Sequence, residues 1–512
     1  MLFFRMETAV VSRCAGSTPL IAMGTTLYAG VADWVISCLD KGIYKVGDRI
    51  PSIRSLSATL QVSINTVREA YGLLERRRYI ECRPQSGYFV RKAPPPAIKE
   101  KDPGVERLDP REVVFCRIYG EIKAKGGSTE AANLAVAMPD AALLPVKKLG
   151  ALMADTMRRA GSRVLEYCMT PGYGPLREQL ARLSVETGAR LAPEGIVVTN
   201  GCCEALFLSL MATCRPGDTV AVESPLYFNI FQMLKDLNLK VLEVPSSPRD
   251  GINLEVLRFA LSTHGIAACI VIPTFSNPTG ACLPEAGKRE LVTLLAEAGI
   301  PLIEDDVHGD LCHSGRRPPS CKSFDASDNV LYCSSLTKTL GGGLRLGWIA
   351  PGRYRERVER LKSLMNVGNA TLEQVAVARY LEEGHYERHL RGLRAALAER
   401  VDGMRDLVAD SFPEGTRVAR PLGGFLLWIE LPEGMDACAL YDLAIRENIV
   451  FPPGVLFTAS GGFAGFLRLN GGVSGPEPER AVRRLGELAG LLAAPGGRLN
   501  APGDRVTAPG AA

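Results

Sequence analysis

The sequence contains no cysteine pair spaced as C-x-x-C, although 14 cysteines are scattered along its 512 residues. This absence excludes a zinc knuckle and a disulfide framework, and it indicates thiols buried in a reducing compartment. Two uncharged stretches, 14–32 and 265–284, are too interrupted by glycine, proline and hydroxyl residues to span a membrane. Near the start, Arg5, Glu7 and Arg13 interrupt any signal-peptide core. A cytoplasmic protein with no membrane partner is therefore expected.

The sequence also has few aromatic residues, 6%, and a net charge of only +4. So small a charge excludes a chain that is basic throughout. The charge is unevenly distributed, because residues 1–92 carry 13 Lys or Arg against 7 Asp or Glu, whereas the remainder is slightly acidic. We therefore expect a polyanion partner at the N-terminal segment.

The length, several times the ~150 residues of an average domain, predicts two or three domains. Pro94–Pro96 opens a charged, weakly patterned stretch, and beyond it short apolar strands alternate with helices, which indicates a mostly parallel sheet. We predict a disordered arm (1–23), a compact periodic domain (24–92), a linker (93–133), a large α/β domain (134–490) whose smaller α+β subdomain lies mainly at 385–490, and a disordered tail (491–512).

Two consecutive helices are predicted in the N-terminal domain, with Ser52 and Ser63 as their N-caps. The second helix has an apolar stripe at i, i+3, i+4 and i+7 from Val67, which must be buried against the first helix. This leaves Asn65 and Arg68 exposed on its first turns. The pattern is typical of a helix-turn-helix that inserts side chains into a DNA major groove.

A short hairpin with Gly87 near its bend is predicted after these helices. The motifs P-S-x-R-x-L, V-S-x-N-T-V-R-E-A-Y-x-L-L-E and R-P-Q-S-G-Y-F-V resemble the winged-helix domain of the GntR family of bacterial transcription regulators. At Ile64 that family often has Arg or another polar residue, and an apolar side chain there can contact a thymine methyl. The alternative is a helical hairpin used only for dimerisation. The resemblance implies operator DNA contacts from Arg54, Ser63, Asn65, Thr66, Arg68, Ser86 and Gly87.

In the large domain, Lys338 follows a predicted strand and is flanked by the hydroxyls of Ser335 and Thr337. Glycines 341–343 and Arg345 follow, which supply close backbone approach and a cationic donor for a phosphate. A lysine beside a phosphate site is the arrangement that a Schiff base with pyridoxal 5′-phosphate (PLP) requires.

Three more loops after predicted strands agree with this interpretation. Asp305 offers a carboxylate for a pyridinium nitrogen, and Asn277 offers an amide for a phenolic oxygen. Cys202 and Cys203 begin a helix whose amides can bind a phosphate. Each signal alone is weak, but the four in this order are specific.

Residues from about 134 to 490 resemble the fold-type-I aspartate aminotransferase superfamily. This resemblance implies that Lys338 carries the Schiff base and that Asp305 pairs with the ring nitrogen. Tyr167 matches a residue that reaches the neighbouring subunit's phosphate, so a homodimer is implied. Arg468 matches the arginine that binds a substrate carboxylate through a bidentate fork. The remaining cofactor contacts are implied at Cys202, Cys203, Tyr227, Asn277, His308, Ser335, Thr337 and Arg345.

Two histidine features need separate interpretation. Many relatives have tyrosine where this chain has His308; a histidine can still donate one hydrogen bond, but it titrates near neutral pH. His385 and His389 are spaced i, i+4, yet no H-E-x-x-H pattern accompanies them, so no metal site is predicted.

A GntR-like winged helix joined to an aminotransferase-like domain resembles the MocR family of PLP-dependent regulators. The resemblance implies a transcription factor whose large domain senses PLP, or an amino compound captured as an external aldimine. A working aminotransferase fused to a DNA-binding domain is the alternative, and both functions need Lys338.

Overall fold

The computed structural model describes residues 27–77, 79–91, 97–98, 108–113, 116–125, 131–313 and 316–493. The predicted N-terminal arm lies outside these residues, as does the predicted tail apart from its first three residues, 491–493, which end the last helix. Within the described ranges, no helix is both long and apolar enough to cross a membrane.

The N-terminal domain is a winged helix-turn-helix. Its elements are α1 (Leu27–Asp40), α2 (Ile53–Leu60), α3 (Ile64–Arg76), β1 (Ile80–Arg83) and β2 (Gly87–Val90). Ser52 caps α2 by accepting a bond from the Ser55 amide, and Ser63 caps α3 through the Thr66 amide at 3.0 Å. The predicted apolar stripe of α3 is buried, and β1 pairs antiparallel with β2 as the wing. The predicted winged helix-turn-helix fold is confirmed.

The winged helix is followed in the chain by α4 (Arg117–Lys125) and β3 (Ala132–Asn133). The strands that follow are β4 (Cys168–Met169), β5 (Val197–Thr199), β6 (Thr219–Ser224), β7 (Lys240–Ser247), β8 (Gly251–Ile252), β9 (Ile266–Val271), β10 (Leu302–Asp305), β11 (Val330–Ser335), β12 (Gly347–Ala350) and β13 (Gly368–Asn369). Eight of them form one sheet in the order β5-β12-β11-β10-β9-β6-β7-β8. Its central strands are parallel, as predicted, whereas β12 inserts antiparallel between β5 and β11.

Helices cover this sheet with their apolar faces, so its central strands are buried on both sides. These helices are α5 (Val146–Ala160), α6 (Gly174–Ser184), α7 (Cys202–Thr213), α8 (Phe228–Asp236), α9 (Leu254–Thr263), α10 (Glu285–Glu297), α11 (Thr337–Leu340), α12 (Arg355–Asn366) and α13 (Thr371–Glu382).

The smaller C-terminal subdomain contains α14 (His385–Ser411), β14 (Arg417–Val418), β15 (Leu426–Glu430), α15 (Ala437–Ala444), β16 (Ile449–Val450), β17 (Phe466–Asn470) and α16 (Pro476–Ala493). The order of the antiparallel sheet is β14-β15-β17. Part of the predicted linker is built into this body: β3 pairs with β16, and Ile118 and Ile122 of α4 are buried in its core. The reason is that an apolar face of α4 needs cover that the charged stretch around it does not supply.

Candidate cofactor pocket and DNA-binding face

The predicted cofactor residues meet at one edge of the large sheet. Asp305 ends β10, Lys338 lies in α11 directly after β11, and Asn277 lies in the loop after β9. Because these three strands are parallel neighbours, their carboxyl ends face the same crevice. Cys202 starts α7 and donates its thiol proton to Asp305 at 3.5 Å, so the β5–α7 turn reaches the same place.

Lys338 is half-buried, and its Nζ donates to the backbone carbonyl of Ala137 at 2.6 Å. Burial lowers the pKa of its amine to about 8, an effect that the charge of Asp305 partly opposes. A neutral amine is the nucleophilic form of lysine, so this environment favours attack on a carbonyl.

Asp305 is buried at the floor of the pocket. Besides Cys202, it accepts a bond from the Val307 amide at 3.3 Å. Burial raises the pKa of its carboxyl to about 6. Two weak donors only partly compensate a buried carboxylate, and a cationic ring nitrogen is a suitable partner for it.

A glycine allows Arg345 to approach the N-terminus of α7 closely, where the sequence predicts a phosphate site. Gly201, at φ +83°, is the N-cap of α7, and a side chain there would come within 2.7 Å of an Arg345 guanidinium nitrogen. Arg345 donates to the Asn200 carbonyl at 2.6 Å, which holds its guanidinium over the helix N-terminus. The Thr337 amide bonds the Ser335 hydroxyl at 3.4 Å on the facing turn. Cys203, also on the first turn of α7, is exposed, and its thiol interacts electrostatically with Lys338 and Arg345.

Arg468 of β17 is fully buried and points at Asn277. Its guanidinium donates to Asn277 Oδ1 at 3.0 Å and to the carbonyl of Ala135, while its Nε has no partner among the described residues. Burial lowers the pKa of Arg468 to about 10. The contact fixes the amide of Asn277, because its oxygen faces Arg468 and its N–H side faces away.

His308 corrects two expectations. It is 2% exposed, and burial together with the positive charges of Lys338 and Arg468 lowers its pKa to about 3, so it does not titrate near neutral pH. Its Nδ1 lies 3.2 Å from the Phe275 carbonyl, so the ring's one proton is used there. The nitrogen that is left, Nε2, is an acceptor and not the expected donor.

The two predicted tyrosines lie in different surroundings. Tyr227 precedes α8 within the pocket, where its hydroxyl accepts a bond from Asn229 at 2.7 Å and its ring lies 5.1 Å from that of Phe228. Tyr167 is 84% exposed, next to the exposed side chains of Leu165 and Met169. No contact of Tyr167 with the predicted cofactor residues is recorded among the described residues.

Sequence reasoning missed the backbone acceptors of the pocket. The carbonyls of Ala135 and Ala137 bind Arg468 and Lys338, and the carbonyl of Phe275 orients His308. No side-chain pattern reports a carbonyl. Of these three residues, Phe275 alone has an unusual backbone conformation, a positive φ of 54° in a residue other than glycine.

The predicted DNA-binding residues form an exposed face of the winged helix. Arg68 donates to Asn65 Oδ1 at 3.1 Å, so the two side chains lie together on the first turns of α3. The Ser63 and Thr66 hydroxyls bond each other at 2.8 Å at its N-terminus. Ile64 is 45% exposed beside them. Arg54 on α2 and the wing residue Ser86 are also exposed, and Gly87 begins β2 at φ +104°.

Comparison with known proteins identifies both halves. Residues 132–485 match the family model for aminotransferase class I and II, and residues 27–90 match that for bacterial regulatory proteins of the gntR family. The chain is 37% identical over 466 residues to the HTH-type transcriptional regulator YjiR of Escherichia coli, covering 90% of this chain and 98% of that one. YdcR of the same organism is 35% identical, again over 90% and 98%.

Solved structures resemble the large domain. The α-aminoadipate aminotransferase LysN of Thermus thermophilus has a TM-score of 0.67 and 29% identity, covering 74% of this chain and 98% of LysN. Kynurenine aminotransferase of Pyrococcus horikoshii has a TM-score of 0.69 and 27% identity, over 75% and 96% respectively.

The pocket fits PLP, the cofactor of this aminotransferase family. A reactive lysine, a buried carboxylate and a cradle that excludes a Cβ converge there, and two buried nitrogens, His308 Nε2 and Arg468 Nε, lack partners among the described residues. The chain belongs to the class I and II aminotransferase family and joins that domain to a gntR-family winged helix, the MocR-type architecture expected from its motifs.

Proposed function

We propose that this protein is a transcriptional regulator that binds operator DNA through its winged helix and responds to PLP, or to an amino compound captured on PLP, through its large domain. The observation that carries the proposal is the docking of the winged helix on the domain that contains the cofactor residues. Arg77 pairs with Asp402 of α14 at 2.9 Å, and Asp33 of α1 pairs with Arg420 at 2.9 Å.

A continuous chain of contacts supports coupling between pocket and winged helix. We name residues 419–424 the coupling loop. Its Arg420 binds α1, whereas its Gly423 packs so closely on the Phe275 ring that a Cβ would overlap it. The Phe275 carbonyl in turn binds His308. Tightly packed contacts of this kind transmit displacement, because packed interiors are not continuously deformable.

The chemistry proposed for the pocket follows from its donors. When bound, PLP supplies an aldehyde that condenses with amines, and Lys338 is the amine that its environment activates. Arg345 and the α7 N-terminus would hold the phosphate, Asp305 would pair with the ring nitrogen, and Asn277 would donate to the ring hydroxyl. Arg468 offers a guanidinium to a carboxylate on the incoming amino compound. Tyr227 would pack on the ring.

A homodimer completes the proposal. Tyr167 and Met169 lie on one side of the β4–β13 pair, and Leu364 and Val367 precede its other strand; all four are exposed apolar or aromatic side chains. Several exposed apolar side chains near one strand pair are a feature of protein–protein interfaces. Burial of this patch against a second copy would carry Tyr167 to the partner's pocket.

The test separates a regulator from a working aminotransferase. Duplexes are selected from randomised DNA by the purified protein, and their affinity is measured with and without PLP and a panel of amino acids. Turnover is measured in parallel against amino donors and 2-oxo acids. Selected DNA whose affinity depends on the ligands, with slow or no turnover, supports the proposal. No enriched sequence together with rapid transamination would contradict it.

A further inference from the structure

His308 Nε2 is one of the two buried pocket nitrogens that lack a partner among the described residues. The imidazole is held on its other side, since Nδ1 lies 3.2 Å from the carbonyl of Phe275. A carbonyl only accepts, so Nδ1 carries the proton. The ring is held edge-on against Phe425, with centroids 5.6 Å apart.

The charges around the ring keep it neutral. Lys338 on α11 and Arg468 on β17 both disfavour a second proton, and burial disfavours it more strongly. The carboxylates at the same strand end accept hydrogen bonds from other residues: Asp305 from Cys202, and Asp306 Oδ2 from Arg317 at 2.5 Å. Nε2 is therefore a lone pair that needs a hydrogen-bond donor, which no described side chain provides.

Asn277 supplies the complementary half. Its oxygen is taken by Arg468, which leaves its amide N–H group as the donor. A group that satisfies both residues must accept one hydrogen bond and donate another. A hydroxyl does this, whereas a phenolate has no proton to give to His308.

We infer that His308 Nε2 accepts a hydrogen bond from the protonated ring hydroxyl of the cofactor, while Asn277 donates to the same oxygen. This inference rests on the proposed cofactor assignment and deepens it. A tyrosine at this position would donate its proton to the oxygen and favour the anion. As an acceptor, His308 would instead favour the protonated hydroxyl and raise the pH at which that hydroxyl loses its proton.

The first experiment is a pH titration of the absorbance of the cofactor-loaded protein. His308→Phe removes the acceptor but keeps a flat ring, and His308→Tyr replaces the acceptor with a donor. We expect the spectral transition to fall by about one pH unit in His308→Phe, which is a tenfold change in proton affinity, and further in His308→Tyr. His264→Phe, on a turn after α9, is the matched control and leaves it unchanged. A transition at the same or a higher pH in His308→Tyr overturns the inference.

The second experiment observes the wild-type protein directly. The chain has only five histidines, so ¹⁵N-histidine labelling gives a simple spectrum, in which His308→Gln serves only to assign one residue. We expect Nδ1 protonated and Nε2 unprotonated in the wild type, with the Nε2 resonance shifting when PLP is added. A protonated Nε2, or an Nε2 resonance that does not respond to PLP, overturns the inference.

The failures are distinguishable. If the wild type takes up no PLP, or if Lys338→Ala still forms a borohydride-reducible adduct, the proposed cofactor assignment is wrong. The other case is that PLP uptake is normal and depends on Lys338 while the His308→Tyr transition does not fall, or while Nε2 is protonated or insensitive to PLP. In that case only the role of His308 is wrong.

Discussion

Burial at Lys338 sets the pH at which its amine becomes reactive. Its pKa of about 8, below the ordinary value of 10.5, leaves roughly a tenth of the amine neutral at pH 7. We predict that the rate of PLP attachment rises with pH and levels off above about pH 8, and that Lys338→Ala forms no borohydride-reducible adduct. Stopped-flow absorbance measures the rate. A rate still rising steeply between pH 9 and 10 would show that the amine keeps its ordinary basicity.

The identity of the residues with reactive or charged side chains could be predicted from the sequence. Their hydrogen-bond partners and protonation states could not. Lys338 and Asp305 were found because Asp305 ends a strand and Lys338 follows one, and parallel strands bring such residues to one edge. The state of His308 could not be found, because it depends on the carbonyl of Phe275, 33 residues away in the chain. Burial lowers the pKa of His308 to about 3, so the expected titration near neutral pH does not occur.

At the scale of elements, α2 and α3 carry the exposed cations of the helix-turn-helix. We predict that Arg54→Ala and Arg68→Ala each weaken binding to the selected duplex. Each should also lower the slope of log affinity against log salt by about one, since one phosphate contact is lost. Arg249→Ala, an exposed arginine of the large domain, is the control and should leave both unchanged. Electrophoretic mobility shifts over a salt series measure the effect, and an unchanged slope would exclude these phosphate contacts.

The coupling loop packs closely on Phe275 because Gly423 has no side chain. A Cβ at Gly423 would overlap the buried ring of Phe275, so Gly423→Ala should destabilise the large domain by about 1–3 kcal/mol. Gly403→Ala is the matched control, because a Cβ there meets nothing within 4 Å on an exposed face of α14, and it should raise stability by about 0.5–1 kcal/mol. Urea denaturation compares the two. Equal midpoints for Gly423→Ala and wild type would mean that the ring moves aside freely.

The types of the secondary-structure elements could largely be predicted from the sequence, whereas the pairing of strands distant in the chain could not. Capping serines and an apolar stripe mark α2 and α3 locally. The antiparallel insertion of β12 and the pairing of β3 with β16 depend on segments distant in sequence, which local periodicity does not report.

For the whole molecule, two ion pairs join the winged helix to the large domain. The Arg77–Asp402 pair is largely screened from water, with side chains 22% and 15% exposed. We predict that Asp402→Ala brings the ratio of DNA affinities with and without effector closer to one, because the large domain then biases the winged helix less. Glu399→Ala, exposed on the same helix, is the control. An unchanged ratio in Asp402→Ala, measured by fluorescence anisotropy, would remove this contact from the coupling.

Arg468 tests whether the signal is an amino acid. Its guanidinium lies at the pocket end of the contacts that lead through Phe275 and the coupling loop to α1, and a carboxylate there would draw it from Asn277. A charge-assisted bidentate contact contributes roughly 1.5–3 kcal/mol, so Arg468→Ala should lose about 10- to 150-fold in effector affinity. Arg468→Lys keeps the charge without the fork and should lose less.

PLP should stay bound in Arg468→Ala, because its phosphate, ring and amine partners lie on other residues. DNA affinity without effector should also survive, so only the response disappears, since a ligand shifts an equilibrium only by its differential affinity for the two states. DNA affinity is measured against effector concentration in wild type and both variants. A full response in Arg468→Ala would mean that the molecule reads no carboxylate, which would identify PLP itself, or an amine lacking a carboxylate, as the signal carried to the winged helix.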